Sequence, residues 1–191
     1  MDQRRDTRLE RRTLITWLWR LPVLAAAAGI GWGGWEAYHV HFDKVEPGAP
    51  DFIPVTPQRA ATLLELGPLW SAVPFTLDLN ANAETPALAL HVPEAVAGSV
   101  SVGGQHYLAF SRVCTHLGCP VNLNSNLETL AVAFNYRSEH PALACPCHLS
   151  VFSPLEAGKA VSGPAREPLP RVQLERRGDA LFAVGLERPR S

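Results

Sequence analysis

Cys114-Thr115-His116-Leu117-Gly118-Cys119 and Cys145-Pro146-Cys147-His148-Leu149-Ser150 hold all four cysteines of the chain. Each stretch mixes thiol with imidazole, as Cys-x-His in the first and Cys-x-x-His in the second. Together Cys114, His116, Cys145 and His148 supply two thiolates and two neutral imidazoles to one metal site, with Cys119 and Cys147 left over. That donor set suits tetrahedral zinc. It also suits a two-iron, two-sulfur cluster in which one iron takes both thiolates and the other both imidazoles. Zinc modules usually pair Cys-x(2-4)-Cys with His-x(3-5)-His, so the mixed pairs and spare cysteines point to the cluster. Structural zinc and an ordinary disulfide framework stay as the alternatives.

Around this pair of boxes, 191 residues of which 47% are hydrophobic provide one core of ordinary size and leave room for an appendage. The net charge of -1 hides an asymmetry, because Arg4, Arg5, Arg8, Arg11, Arg12 and Arg20 all precede or enter the first apolar stretch. The remainder is acidic and has no basic patch interleaved with aromatics, which excludes nucleic acid as an expected partner. His39 and His41 read as interfacial residues, and His91, His106 and His140 as isolated surface or core groups. No histidine and carboxylate cluster suggests a mononuclear iron centre.

Residues 1–12 read as a cytoplasmic tail and 13–38 as a transmembrane anchor. From Thr13 to Trp35 only Arg20 is charged, and about 23 residues of helix span roughly 34 Å, enough to cross a lipid membrane. Trp17, Trp19, Trp32, Trp35 and Tyr38 fit interfacial belts. Arginines before the span orient the N-terminus inwards, placing the rest on the periplasmic side of a bacterial plasma membrane. Arg11-Arg12-Thr13-Leu14-Ile15 fits either a twin-arginine export signal or ordinary positive-inside charges. Ala25-Ala26-Ala27 offers a small-residue cleavage site within a run that otherwise reads as an uncleaved anchor. Residues 39–57, with Pro47, Gly48, Pro50, Pro54 and Pro57, read as an extended tether, either a hinge or a static spacer.

Residues 58–191 form the head. Short apolar runs separated by turn residues predict strands over 72–79, 87–92, 99–102, 106–111, 130–134, 142–144, 172–176 and 180–184. Val102-Gly103-Gly104-Gln105-His106 and Arg176-Arg177-Gly178-Asp179-Ala180 have hairpin chemistry, so the expected class is antiparallel all-β. One short helix is expected over Arg59–Leu66. The stretch Val121–Ala144 reads as an insertion with an extra hairpin arm at Leu130–Phe134, a solvated elaboration in preference to a contact with a partner subunit.

The two boxes resemble those of the Rieske iron-sulfur subunit of quinol-oxidising cytochrome bc complexes. Gly163-Pro164-Ala165 resembles the proline loop of that family, with Arg166 where a second proline is common. The resemblance implies a Rieske-type β-sandwich with a cluster-binding subdomain made by loops 112–121 and 143–153. It implies a Rieske [2Fe-2S] cluster with Cys114 and Cys145 on the inner iron, His116 and His148 on the outer one, and a Cys119–Cys147 disulfide. His148 would accept a hydrogen bond from quinol, with His116 contributing to the exposed surface and Ser150 donating to a bridging sulfide. Leu117 would dock on cytochrome b. The implied partners are a cytochrome b subunit, a c-type cytochrome, quinol and the lipid membrane.

Two departures from the family pattern stand out. Phe152 replaces a tyrosine that donates to a ligand cysteine, which predicts a lowered potential suited to a low-potential quinol, and Leu149 replaces a common glycine. An alternative assignment is the small Rieske subunit of an exported molybdenum oxidase such as arsenite oxidase.

Overall fold

Ala87-Leu88-Ala89-Leu90-His91-Val92 alternates small and large side chains, and the alternation sets the layering of the head. In the computed structural model the backbone is described for residues 3–80 and 83–188, and side chains for 17–39, 42–79 and 83–188. The elements are α1 (Gln3–Phe42), β1 (Phe52–Thr62), β2 (Ala72–Asn80), β3 (Ala83–Val92), β4 (Val100–Val102), β5 (Gln105–Ser111) and β6 (Asn122–Asn124). They continue with α2 (Leu127–Val132), β7 (Ala142–Cys145), β8 (Ser150–Ser153), β9 (Lys159–Ser162), β10 (Val172–Arg177) and β11 (Ala180–Glu187). The chain divides into a helical unit, Met1–His39, and a β unit, Val40–Ser191.

Within the β unit, three antiparallel sheets run β1-β11-β10, β2-β3-β5-β4 and β6-β7-β8-β9. Successive strand residues face opposite sides. Ala87 and Ala89 of β3 with Tyr107 and Ala109 of β5 therefore pack on Val172, Leu174, Leu181 and Ala183 of the first sheet. Leu88, Leu90, Val92, Leu108 and Phe110 pack the other way, against Cys114, Val121, Leu143, Cys145 and Phe152. The middle sheet is thus buried on both faces, and each fully buried leucine there contributes roughly 1.5–3 kcal/mol. The second of these cores is the floor on which the two cysteine boxes stand.

The β4–β5 turn places Gly103 and Gly104 at φ of 59° and 82°, and the β10–β11 turn has Gly178 at 65°, as the hairpin chemistry predicted. Two other expectations change. Arg59–Thr62 continues β1, paired with Phe182, Leu181 and Ala180 of β11, so no helix starts at Arg59. The helical signal there is a local cap: Glu65 accepts from the Thr62 amide at 2.7 Å while Thr62 Oγ1 accepts from the Glu65 amide at 3.2 Å. These bonds hold the Glu65 carboxyl below its ordinary range. Gly67-Pro68 follow, and only one turn forms.

Leu130–Phe134 is not a hairpin arm either. Asn126 caps α2 by accepting from the Thr129 amide at 3.0 Å. The helix then buries Leu130, with Phe134 beside it, on Ala142, Ala144 and Val151, the outer face of the β7–β8 pair. The insertion is therefore a third core, not a solvated elaboration.

The described side chains of α1 are exposed except the half-buried His39, with Trp17, Trp19, Trp32 and Trp35 among the exposed ones. Among the described residues no helix is long and apolar enough to cross a membrane. Glycines, tryptophans, Pro22 and Arg20 dilute its aliphatic content. The tail of residues 1–12, the Arg11-Arg12 pair and Thr13–Thr16 fall outside the described side chains, as does His41.

The tether expected over 39–57 lies along the head. Its first residues end α1 and its last six begin β1; between them Val45 donates to Arg166 O at 3.0 Å, Arg166 pairs with Asp43 at 2.8 Å, and Lys159 bonds Glu46. Arg171, fully buried, reaches Gly48 O at 2.9 Å and Ala97 O at 3.1 Å while paired with Glu187.

Candidate metal centre

The first box is a loop between β5 and β6. A bridge between Val113 and Pro120 closes it, Cys114 N donates to Cys119 O at 2.9 Å, and Gly118 N donates to Cys114 O at 2.8 Å. Gly118 takes φ of 78°, which suits a residue without Cβ. The second box is the β7–β8 turn, closed by the register pair Cys145–Ser150. Leu149 sits in that turn at φ of 61°, a conformation that glycine adopts without strain. The family's frequent glycine at this place has a backbone reason, and this chain forgoes it.

A third loop, 163–168, closes the site. Gly163 lies flat on the second box, where an added Cβ would stand 2.5 Å from Leu149 O and 2.6 Å from Ser150 Cα. Ala165 N donates to Ser150 Oγ at 3.1 Å. Thr115 Oγ1 donates to Glu167 O at 2.7 Å, tying the first box to the same loop.

The donors separate by depth. Cys114 and Cys145 are reduced and buried, at 3% and 1% exposure, while His116 is half-buried and His148 exposed. Their rings meet edge to face at 4.9 Å between centroids. Burial, reinforced by the neighbouring Cys145, pushes the Cys114 thiol up, although amides of His116 and Leu117 donate to its sulfur and favour the thiolate. Cluster binding must therefore release thiol protons, and those amides are ready partners for the ligated sulfur. Cys119 and Cys147 form a disulfide linking the two boxes across 28 residues. Although the sulfurs of Cys119, Cys145 and Cys147 lie within 4.8 Å of one another, this trio offers no three-thiolate site, because two of its sulfurs are bonded together.

The residues fit a cluster held by two inner thiolates and two outer imidazoles. His116 Nδ1 is buried and has no hydrogen-bond partner, the state expected of a nitrogen whose partner is an iron. Residues 70–173 match the family model described as the Rieske [2Fe-2S] domain.

The chain belongs to the Rieske [2Fe-2S] family. Its cofactor is the Rieske cluster, and zinc is set aside. Relatives include the iodate reductase subunit IdrB of Denitromonas iodatirespirans, 38% identical over 42% of this chain and 38% of that protein. They also include the cytochrome bc1 complex Rieske iron-sulfur subunit of Corynebacterium diphtheriae, 38% identical over 36% of this chain and 14% of that one. The chain thus spans well under two thirds of the length of these relatives. Among solved structures, the soluble domain of Rieske protein II from Sulfolobus acidocaldarius superposes with a TM-score of 0.50, covering 71% of this chain and 80% of that one at 23% identity, a likeness of fold. The Rieske head is accordingly all-β and antiparallel.

The structure brings together every residue singled out from the two boxes: Cys114, His116, Cys145, His148, Ser150 and the Cys119–Cys147 pair. His91 and His106 lie elsewhere, bonded to Pro68 O and Ser101 Oγ, and His140 stacks on Trp70. Two residues that tie the connector to the head escaped the sequence. Lys44 looked like an ordinary tether residue, and Arg171 stood in a proline-rich run without any pattern to mark it as buried.

Proposed function

We propose that this chain is the membrane-anchored Rieske subunit of a bc-type complex, taking electrons from quinol and passing them to a c-type cytochrome. The observation that carries this reading is the outward imidazole edge: His148 is exposed, flanked by Leu117 at 69% and Leu149 at 44% exposure. An apolar rim around an accessible imidazole suits a hydrophobic donor with a hydroxyl. When bound by Cys114, Cys145, His116 and His148, the Rieske cluster supplies a one-electron couple within about -150 to +300 mV. His148 accepts the hydrogen bond of the quinol hydroxyl and takes its proton. Leu117 and Leu149 exclude water from the contact with a cytochrome b surface, and the Cys119–Cys147 bridge holds the two ligand loops at fixed separation. In this reading the N-terminal region attaches the chain to the membrane, N-terminus inwards and the Rieske head on the periplasmic side, and α1 contributes its exposed Trp17, Trp19, Trp32 and Trp35 to that attachment.

Purification from membranes in mild detergent tests this. Co-purification of cytochrome b and a c-type haem protein is expected; a Rieske protein recovered with neither refutes the bc reading.

A second reading is the Rieske subunit of an exported oxidoreductase outside the bc class, of the molybdenum-oxidase kind. The similarity to iodate reductase subunits, which spans 42% and 48% of this chain, favours it. It predicts a mature N-terminus near Ala28 and a soluble partner in place of cytochrome b.

A further inference from the structure

Two of the chain's 17 basic residues are lysines, and both hold the connector to the cluster-bearing side of the head. Lys159 bonds Glu46. Lys44 donates its ammonium to two carbonyls of the third loop, Gly163 O and, at 2.8 Å, Ala165 O. Asp43 and Val45 on either side bond Arg166, so three consecutive connector residues run along 163–166. In a chain that otherwise uses arginine, a compact ammonium at this one place suits two carbonyls two residues apart better than a planar guanidinium fork.

The same three-residue stretch of loop governs Ser150. Gly163 lies against the Leu149–Ser150 backbone, and the Ala165 amide donates to Ser150 Oγ. A serine hydroxyl has one proton and two acceptor positions. With the amide occupying an acceptor position, the proton is directed away from Ala165, and among the described residues no acceptor receives it. Ser150 is wholly buried and paired in register with Cys145, so the two side chains stand on one face of the β7–β8 pair.

We infer that Lys44 is a positioning residue for the cluster: by fixing the Gly163 and Ala165 carbonyls it holds the amide that orients the Ser150 hydroxyl towards the cluster sulfur. This rests on Ser150 being that donor. Lys44 reaches the ligand shell through this loop, and it does so from the connector, so a displacement of the connector changes the electron affinity of the head. Partial burial, with Arg166 adding, lowers the Lys44 pKa, and the two carbonyls offset that desolvation.

The test uses the full chain carrying its cluster, with Lys44→Met, Ser150→Ala and the double variant. Midpoint potential is read by protein-film voltammetry, the reduced cluster by electron paramagnetic resonance, and the Ala165 amide by hydrogen exchange. Lys44→Met is expected to lower the midpoint, by less than Ser150→Ala does, and to speed exchange at Ala165. In the Ser150→Ala background, Lys44→Met should add nothing further. An unchanged midpoint in Lys44→Met, or full additivity, overturns the inference while leaving the Rieske site intact. If Ser150→Ala itself leaves the midpoint unmoved, the reading of Ser150 fails and the inference with it. Lys44→Gln serves as the second variant should Lys44→Met fold poorly.

Discussion

Arg171 and Glu187 form a buried ion pair, with Nη2 2.6 Å from Oε1 and side chains only 1% and 8% exposed. Nε adds a second bond to Oε2 at 2.8 Å, and two further guanidinium hydrogens go to Ala97 O and Gly48 O. One side chain thus joins the last strand, the loop after β3 and the connector. Its charges are satisfied only together, because each alone would be a buried ion.

Arg171→Met should therefore cost about 3–5 kcal/mol, the usual result of leaving one buried charge unpaired. Replacing both partners, Arg171→Met with Glu187→Leu, should recover much of that loss. Urea unfolding of the single and double variants decides the matter. A single variant within about 1 kcal/mol of the parent means that the pair is not structurally required.

Leu130 carries the next expectation. The helix α2 covers the outer face of β7 and β8, and Leu130 is wholly buried there. Leu130→Ala should cost about 2–5 kcal/mol, and removal of the cap by Asn126→Ala about 1 kcal/mol. A surface elaboration would lose neither. Thermal melts of both variants, followed by far-ultraviolet circular dichroism, separate the two outcomes.

The Cys119–Cys147 bridge closes 28 residues, a constraint worth about 3–4 kcal/mol on the loop-closure relation. Both cysteines lie on the cysteine-box loops, Cys147 exposed and Cys119 at the margin of the leucine-rich floor. Reduction should then release the loops before the sheets. Titration with a thiol reductant is expected to bleach the visible absorption of the cluster while far-ultraviolet dichroism stays native. Simultaneous loss of both signals would mean that the bridge holds the whole head.

Much of the architecture was legible because strand periodicity and glycine turns are local signals, and Leu108-Ala109-Phe110 or Gly103-Gly104 declare themselves without tertiary context. The paired boxes were legible for a chemical reason, since thiolates and imidazoles at such spacings have few other uses. What escaped depends on distant partners. Thr62-x-x-Glu65 has the cap of a helix, but β11 claims the residues before it as strand and Gly67-Pro68 stop the turn after it. Leu130–Phe134 carries apolar residues that suit strand or helix equally, and the Asn126 cap decides for helix. Lys44 and Arg171 bond carbonyls more than 70 residues away in sequence, a relation no local pattern encodes.

Phe152 brings the electronic and the packing arguments together. It is wholly buried in the core that also contains both ligand cysteines, paired in register with Leu143 on the strand that ends at Cys145. The ring shares this core with Cys114 and Cys145, at the position where the family resemblance implies a tyrosine. A hydrogen bond to a ligand sulfur stabilises the more negative reduced state, so its absence lowers the midpoint. Phe152→Tyr should raise it by returning that donor to the core that holds Cys114 and Cys145. If the hydroxyl found no sulfur it would be a buried unpaired donor, costing about 1–3 kcal/mol. Voltammetry and a thermal melt on the same sample tell the two apart: a raised midpoint with stability retained supports the hydrogen bond, and a lowered melting temperature with an unmoved midpoint rules it out.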